Sequence, residues 1–271
     1  MSQLGVQSAR AAPQTDPVVR AITLADVNDA WVQGIRDFWS APVYGLVFGG
    51  LYAAGGMIIV VCMTALGLRY LAYPLTAGFA LIGPFAAVGL YEVSRRQETG
   101  MVLSWGAVLG AVFEQRNRQL AWMGFVTLLF FVIWMYQVQL LVALFLGTRW
   151  FPTLHDFLVA LTTTPEGILF LFLGNAVGAL LAIVFFSIAF VSFPLLLDRD
   201  LDVVTAMITS IRAVTASPVA AVGWAITILL LLIVALVPFF LGLVVVLPIL
   251  GHTTWHLYRK IVVSEQTQSS I

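Results

Sequence analysis

His252 and His256 are the two residues of this 271-residue chain whose spacing best suits a shared ligand. Residues four apart lie on one helix face, where two imidazoles can bracket a metal ion or a haem iron. Neither cysteine nor carboxylate stands three or four positions from either ring, and the third histidine, His155, falls on the opposite membrane face in the topology derived below. The expectation is a pair of structural histidines, hydrogen-bonded to Thr253 or to backbone carbonyls, with no metal and no cofactor. A second group is acidic: Glu92, Asp198, Asp200 and Asp202 fall near Arg95, Arg96 and Arg199. At helix ends such charges are expected to form solvated ion pairs worth little individually. Enzyme signatures are missing. A single lysine rules out a phosphate loop ending in Gly-Lys, and neither His-Glu-x-x-His nor Gly-x-Ser-x-Gly occurs. The lone Cys62 excludes a disulfide framework and a cysteine-built metal site. No catalytic residue is expected.

The elements that would carry these residues are membrane helices. The chain is 61% hydrophobic and 10% charged, where soluble domains carry roughly 25% charged residues. Its zero net charge speaks against nucleic acid as a partner. Residues 1–22 hold no apolar signal-peptide core and read as a disordered cytoplasmic N-terminus, ahead of a transmembrane domain over 23–258 and a cytoplasmic tail over 259–271. A crossing needs about 20 apolar residues. Val43–Leu66, Leu71–Tyr91, Ala121–Gly147 and Ile168–Leu197 qualify, and the long block Pro218–Tyr258 divides at Pro238 and Gly242 into Val219–Val237 and Phe240–Tyr258. With six crossings, eleven of the thirteen basic residues share one side, leaving only Arg69 and Arg149 on the other. Five crossings would give nine against four. The bias favours six, with both termini cytoplasmic, and Trp255 and Tyr258 beside Arg259 as aromatic anchors at the inner interface.

A repeat organises the chain. Shifted by 176 positions, Asp26, Val27, Ala30, Ile35, Arg36 and Pro42 coincide with Asp202, Val203, Ala206, Ile211, Arg212 and Pro218. Val27, Trp31, Ile35 and Phe38 form a helical apolar stripe, with Val203, Met207, Ile211 and Val214 as its counterpart. Thr23 and Asp26 suit a capping box, as do Thr153 and Asp156 before a short helix in the outer loop Thr148–Gly167. A weaker third copy places Trp105, Leu109, Val112 and Phe113 on one face, between Ser104 and the charged cluster Glu114–Arg118. The fold class is thus an all-α helical bundle: three transmembrane hairpins, each preceded by a cytoplasmic amphipathic helix, with Pro84, Pro194 and Pro248 in the second crossing of each pair. The surface helices either brace the bundle along the headgroups or offer a docking surface. Trp31, Ile35, Arg36, Phe38, Trp39, Trp255 and Tyr258 are the candidate contacts.

None of the six spans contains Asp, Glu, Lys or Arg, whereas ion-coupled transporters usually keep an ionisable group at depth. The deepest polar groups are Thr64, Gln137, Gln139, Asn175, Ser187 and Ser192, for which interhelical hydrogen bonding is the ordinary use and a polar-solute site the alternative. Small residues recur at four-residue spacing, as Gly45, Gly49 and Ala53 in the first crossing and Gly174, Gly178 and Ala182 in the fourth. Such faces allow close packing within the bundle or a homodimer seam.

The segments Trp31–Pro42 and Gly251–Lys260 resemble hallmark stretches of a bacterial family of predicted six-pass integral membrane proteins, a domain of unknown function. The resemblance implies that fold and a bacterial inner-membrane location over nearly the whole chain, and no established activity. Some members carry a cytochrome c oxidase label. A haem–copper catalytic subunit needs six histidine ligands and this chain has three histidines, so it is not that subunit. The leading expectation is a non-enzymatic accessory, scaffold or assembly partner of a membrane complex such as a respiratory oxidase, contacting lipid and either a membrane-protein partner or a second copy. The alternative is a transporter or channel for a small neutral or lipid-like solute.

Overall fold

The computed structural model describes residues 16–65, 72–113, 118–147 and 154–263. Arg69, Arg149, Thr153, the cluster 114–117 and the ends 1–15 and 264–271 lie outside them, as do the side chains of Pro84, Val112, Phe113 and Arg118. The described chain is mostly helical: α1 Leu24–Ser40, α2 Pro42–Ala65, α3 Ala72–Thr99, α4 Trp105–Phe113, α5 Arg118–Leu141 closed by a π-helical turn at Val142–Leu146, α6 Leu154–Thr163, α7 Pro165–Ala189, α8 Ser192–Asp198, α9 Val203–Ala216, α10 Pro218–Leu236 and α11 Leu243–Ile261. Among the described residues, four stretches are long and apolar enough to cross a membrane: Pro42–Cys62, Gln119–Leu146, Pro165–Asp198 and Pro218–Leu236.

The helices expected as the two remaining crossings, α3 and α11, are not among these four, and both run antiparallel to α2. Cβ atoms at Gly56, Gly49 and Gly45 of α2 would strike Phe240, Val244 and Pro248 in turn. Gly83 and Gly89 of α3 face Tyr52 and Phe48. Prolines start α2, α7 and α10, where a missing N–H costs nothing. The crossing expected over Ile168–Leu197 is divided: α7 ends at Ala189 and α8 restarts at Ser192 with Pro194 in its first turn. A proline ring excludes the hydrogen bond to the carbonyl four residues earlier, here Phe190, and the helix yields there. The turn between α10 and α11 sits at the expected Pro238–Gly242. Its left-handed residues are Phe239 and Phe240, while Gly242 lets the backbone pass against Ala235.

The repeat survives in backbone geometry. Ala41 ends α1 at φ −141°, ψ 58°, and Ser217, 176 positions later, ends α9 at φ −142°, ψ 59°. The capping box of Thr23 and Asp26 is present. Asp202 caps α9 through Val204 and Thr205 N–H, and Ser104 accepts from Ala107 N–H at the start of α4.

The expected stripes of α1 and α9 face the bundle apart from Ile211, with Val203, Met207 and Val214 packed on the core, and small residues lie deepest in each. On α1 the buried residues are Ala30, Gly34 and Phe38, with Val27 and Trp31 beside them, while Leu24, Val32 and Trp39 point outward. On α9 they are Ala206, Thr209, Ser210 and Ala213, while Val204, Ile208 and the expected Ile211 are exposed. On α4 the buried position is Val108, with Leu109 exposed and Trp105 lying against Tyr44. Residues 16–22, expected to be disordered, run extended against the other end of the chain: Val19 bridges Val262, Arg20 N–H donates to Ile261 O, and Ile22 N–H donates to Ser217 Oγ.

Hydrogen bonding holds two cap carboxylates below their ordinary value of 3.8, Asp26 chiefly through Thr23 N–H and Asp202 chiefly through the Thr205 hydroxyl. A lowered folded-state value stabilises above the unfolded one and is lost as pH falls through the folded one. Asp202→Ala should therefore cost about 1 kcal/mol at neutral pH, seen as a lower thermal midpoint in detergent. The gap from the parent should close as the pH drops below 3.8.

Candidate functional site

The polar residues that the spans lack collect at one end of the bundle, where the last turns of α1, α3 and α11 meet. α1 makes its most extensive contact with α11, closely enough that a Cβ at Gly34 would lie 2.2 Å from Thr253 Oγ1 and 2.7 Å from its backbone N. Glu92 is wholly buried on α3. Its carboxylate accepts from Arg95 Nε at 2.7 Å and Arg96 Nε at 2.6 Å, three and four residues along the same helix face. The hydrogen bond to Glu92 is the main cause of a raised pKa at Arg95, and Arg96 reaches on to Val102 O, tying down the chain after α3.

The histidines of α11 sit inside this junction. His252 is fully buried, its Nδ1 2.7 Å from Ser94 Oγ, and its Nε2 has no partner among the described residues. His256 Nε2 lies 2.7 Å from Asp37 Oδ2. Each ring is therefore held by a different helix, so the two do not converge on one point. Among the described residues no group of three His, Cys, Asp or Glu side chains is placed to hold a metal ion. The expected partner Thr253 bonds neither ring, its hydroxyl being buried against Gly34.

The remaining turns of α11 complete the junction. Trp255 Nε1 donates to Glu98, Arg259 pairs with Glu98 and Asp198, Tyr258 OH donates to Asp198 at 2.6 Å, and Lys260 reaches Asp26 and Asp29. The expected acidic group therefore splits between separate duties: Glu92 is buried with two arginines, Asp198 anchors α11, and Asp202 is a cap. Trp255 and Tyr258, expected as interface anchors, are 0% and 1% exposed, because their polar atoms find carboxylates inside the protein. Of the other contact candidates, Phe38 is buried, Trp31 packs edge-on to Trp224, Ile35 is half-buried, and Arg36 and Trp39 are exposed.

A cleft of about 460 Å³ lies beside the pair of His256 and Asp37, walled also by Arg36, Ser40, Gln97 and Glu98. Gln97 Nε2 donates to Asp37 O, and its buried Oε1 has no partner among the described residues. Sequence reasoning missed Asp37, Ser94, Gln97 and Glu98, which share no local motif. The spacing of Glu92 to Arg95 and Arg96 was the one local signal available.

Deeper in the spans, Gly45 and Gly49 meet α11 and Ala53 is buried. On α7, Gly178 and Gly174 make only ordinary contact with Trp134 and Leu141 of α5, and Ala182 is exposed. Asn175, exposed, donates to Leu171 O of its own helix. Thr64 and Ser187 likewise bond carbonyls of their own helices, and Ser192 Oγ donates across the break to Ile188 O of α7. Gln139 is exposed, and Gln137 Oε1 is buried without a partner among the described residues.

Removing one member of a buried ion pair costs about 3–5 kcal/mol. Glu92→Leu is expected to lower detergent stability by about 3 kcal/mol, with Glu92→Gln intermediate because it keeps an acceptor; equal midpoints for parent and Glu92→Leu would contradict this. Gly34→Val should loosen α1 from α11, at roughly 1–3 kcal/mol for overpacking. The readout is faster proteolysis within residues 24–40 at unchanged total helicity.

No curated protein and no solved structure matches the chain. A family model does, over residues 72–198, a stretch that includes neither Trp31–Pro42 nor Gly251–Lys260. The chain is an integral membrane protein, and the matching family, described as predicted integral membrane protein (DUF2189), is the membrane family of unknown function that its sequence resembles.

Proposed function

We propose that the protein is a six-pass protein of the bacterial inner membrane, with cytoplasmic termini, serving as a non-enzymatic accessory or scaffold partner of a membrane complex. Support for six passes comes from α3 and α11 lying antiparallel along α2, itself long and apolar enough to cross. Their charged and polar residues sit at one end, beside Arg20, Arg36, Arg199, Arg259 and Lys260. That clustering of basic side chains favours the cytoplasmic assignment.

The accessory role is supported by α5. Within Gln119–Leu146 the most apolar window of 18 residues has none of its residues buried, and Phe125, Tyr136, Leu140 and Leu144 are each more than half exposed. The face of α5 that carries these residues is thus offered to lipid or to another helix. Meanwhile Thr64, Ser187 and Asn175 hydrogen-bond carbonyls of their own helices. The transporter reading draws on one observation, the orphan Gln137 Oε1, which faces the seam where Trp134 and Leu141 meet α7.

A photo-crosslinking residue at Tyr136 or Leu140, activated in native membranes, is expected to yield an adduct with one defined second polypeptide. Adducts with lipid alone would overturn the accessory reading. The double variant Gln137→Leu, Asn175→Leu should leave that adduct intact, whereas loss of a solute-dependent growth phenotype in the same variant would favour transport.

A further inference from the structure

We propose that the cleft between α1, α3 and α11 binds the headgroup of an aminophospholipid, its primary ammonium received by Gln97, Asp37 and Glu98 and its phosphate by Arg36. The acceptors come first. Gln97 lines the cleft and its buried Oε1 has no donor among the described residues, and an unsatisfied buried acceptor costs about 1–3 kcal/mol until a side-chain shift brings it to a donor. His256 engages one oxygen of Asp37, and Trp255 and Arg259 engage Glu98. Each carboxylate oxygen offers two lone-pair sites, so both side chains keep acceptor capacity. Two carboxylates and an amide oxygen select a cation that donates hydrogen bonds.

Arg36 makes the site zwitterionic. It lines the same cleft with its side chain exposed, so an ammonium held by the inner acceptors would place a linked phosphate within guanidinium territory. The volume, about 460 Å³, falls in the range of roughly 300–1,000 Å³ usual for small-ligand sites. Position supplies the source. Ser40, on the cleft wall, stands two residues before Pro42, where a candidate span begins. Trp39 beside it is 72% exposed, as an aromatic residue at headgroup level would be. A lipid tail would run from there along the α2 surface, whose Val43, Leu46 and Val47 are exposed.

The test is native mass spectrometry of the full chain, delipidated and then titrated with phosphatidylethanolamine or phosphatidylcholine of identical acyl chains. Phosphatidylethanolamine is expected to be retained at least ~5-fold better, since a quaternary ammonium has no N–H to donate. Gln97→Leu should erase that preference. Arg36→Gln, at an exposed position, should weaken both lipids about equally while keeping it. Should Gln97→Leu lower the thermal midpoint, Glu98→Gln, which preserves shape, takes its place with the same expected loss. Equal retention of the two lipids by the parent, or an unchanged preference in the variant, would overturn the site. Displacement of bound lipid by millimolar free phosphoethanolamine would overturn the lipid as its source, marking it as a soluble-ligand pocket.

Discussion

An ionised carboxylate with no solvent exposure persists only where cations are fixed against it, and Glu92 meets that condition inside its own helix. Two guanidiniums at the third and fourth following positions close over it from the same helix. Because Arg95 and Arg96 are bound inward, the end of α3 offers α11 a surface of satisfied polar groups on which Ser94 and Glu98 can take up His252 and Trp255. α11 in turn carries α1, through Gly34 against Thr253 and Asp37 against His256. The packing of three helices thus follows from the neutralisation of one charge.

Much of this architecture was legible in sequence because lipid demands long uninterrupted apolar runs and helix ends demand caps. Pro42, Pro165 and Pro218 begin helices whose expected starts lay within three residues. Thr23 and Asp26 form the capping box that their spacing predicts. What stayed hidden was which residues lie deepest on the surface helices and the makeup of the polar junction. Val32 and Ile208, equivalent in the repeat, both face outward while Ala30 and Ala206 are buried. In water an apolar stripe marks the inward face. Beside lipid both environments are apolar, and the inward face is the one that permits close approach, which favours Ala, Gly and Ser. The stripes read from periodicity, with Val27, Trp31, Val203, Met207 and Val214, do pack against the core, and what periodicity missed is that small residues lie deepest on those faces. The junction was invisible for a different reason: Asp37 and His256 are 219 residues apart and Ser94 and His252 158, so no local pattern joins them.

The two repeat copies show how one local design serves two purposes. Both end at the same backbone geometry before a proline, so each surface helix delivers the chain into the following helix at a similar angle. Their docking partners differ. Gly34 presses on unbroken α11, where a glycine suffices because every backbone group nearby is already bonded within the helix. Ser210, its equivalent, meets the break between α7 and α8, where Val191 N–H would otherwise be unpaired, and accepts from it at 3.0 Å. A hydroxyl stands where the opposing helix has lost a carbonyl, and a hydrogen atom where it has not. The divergence between copies thus follows the state of the helix each one covers.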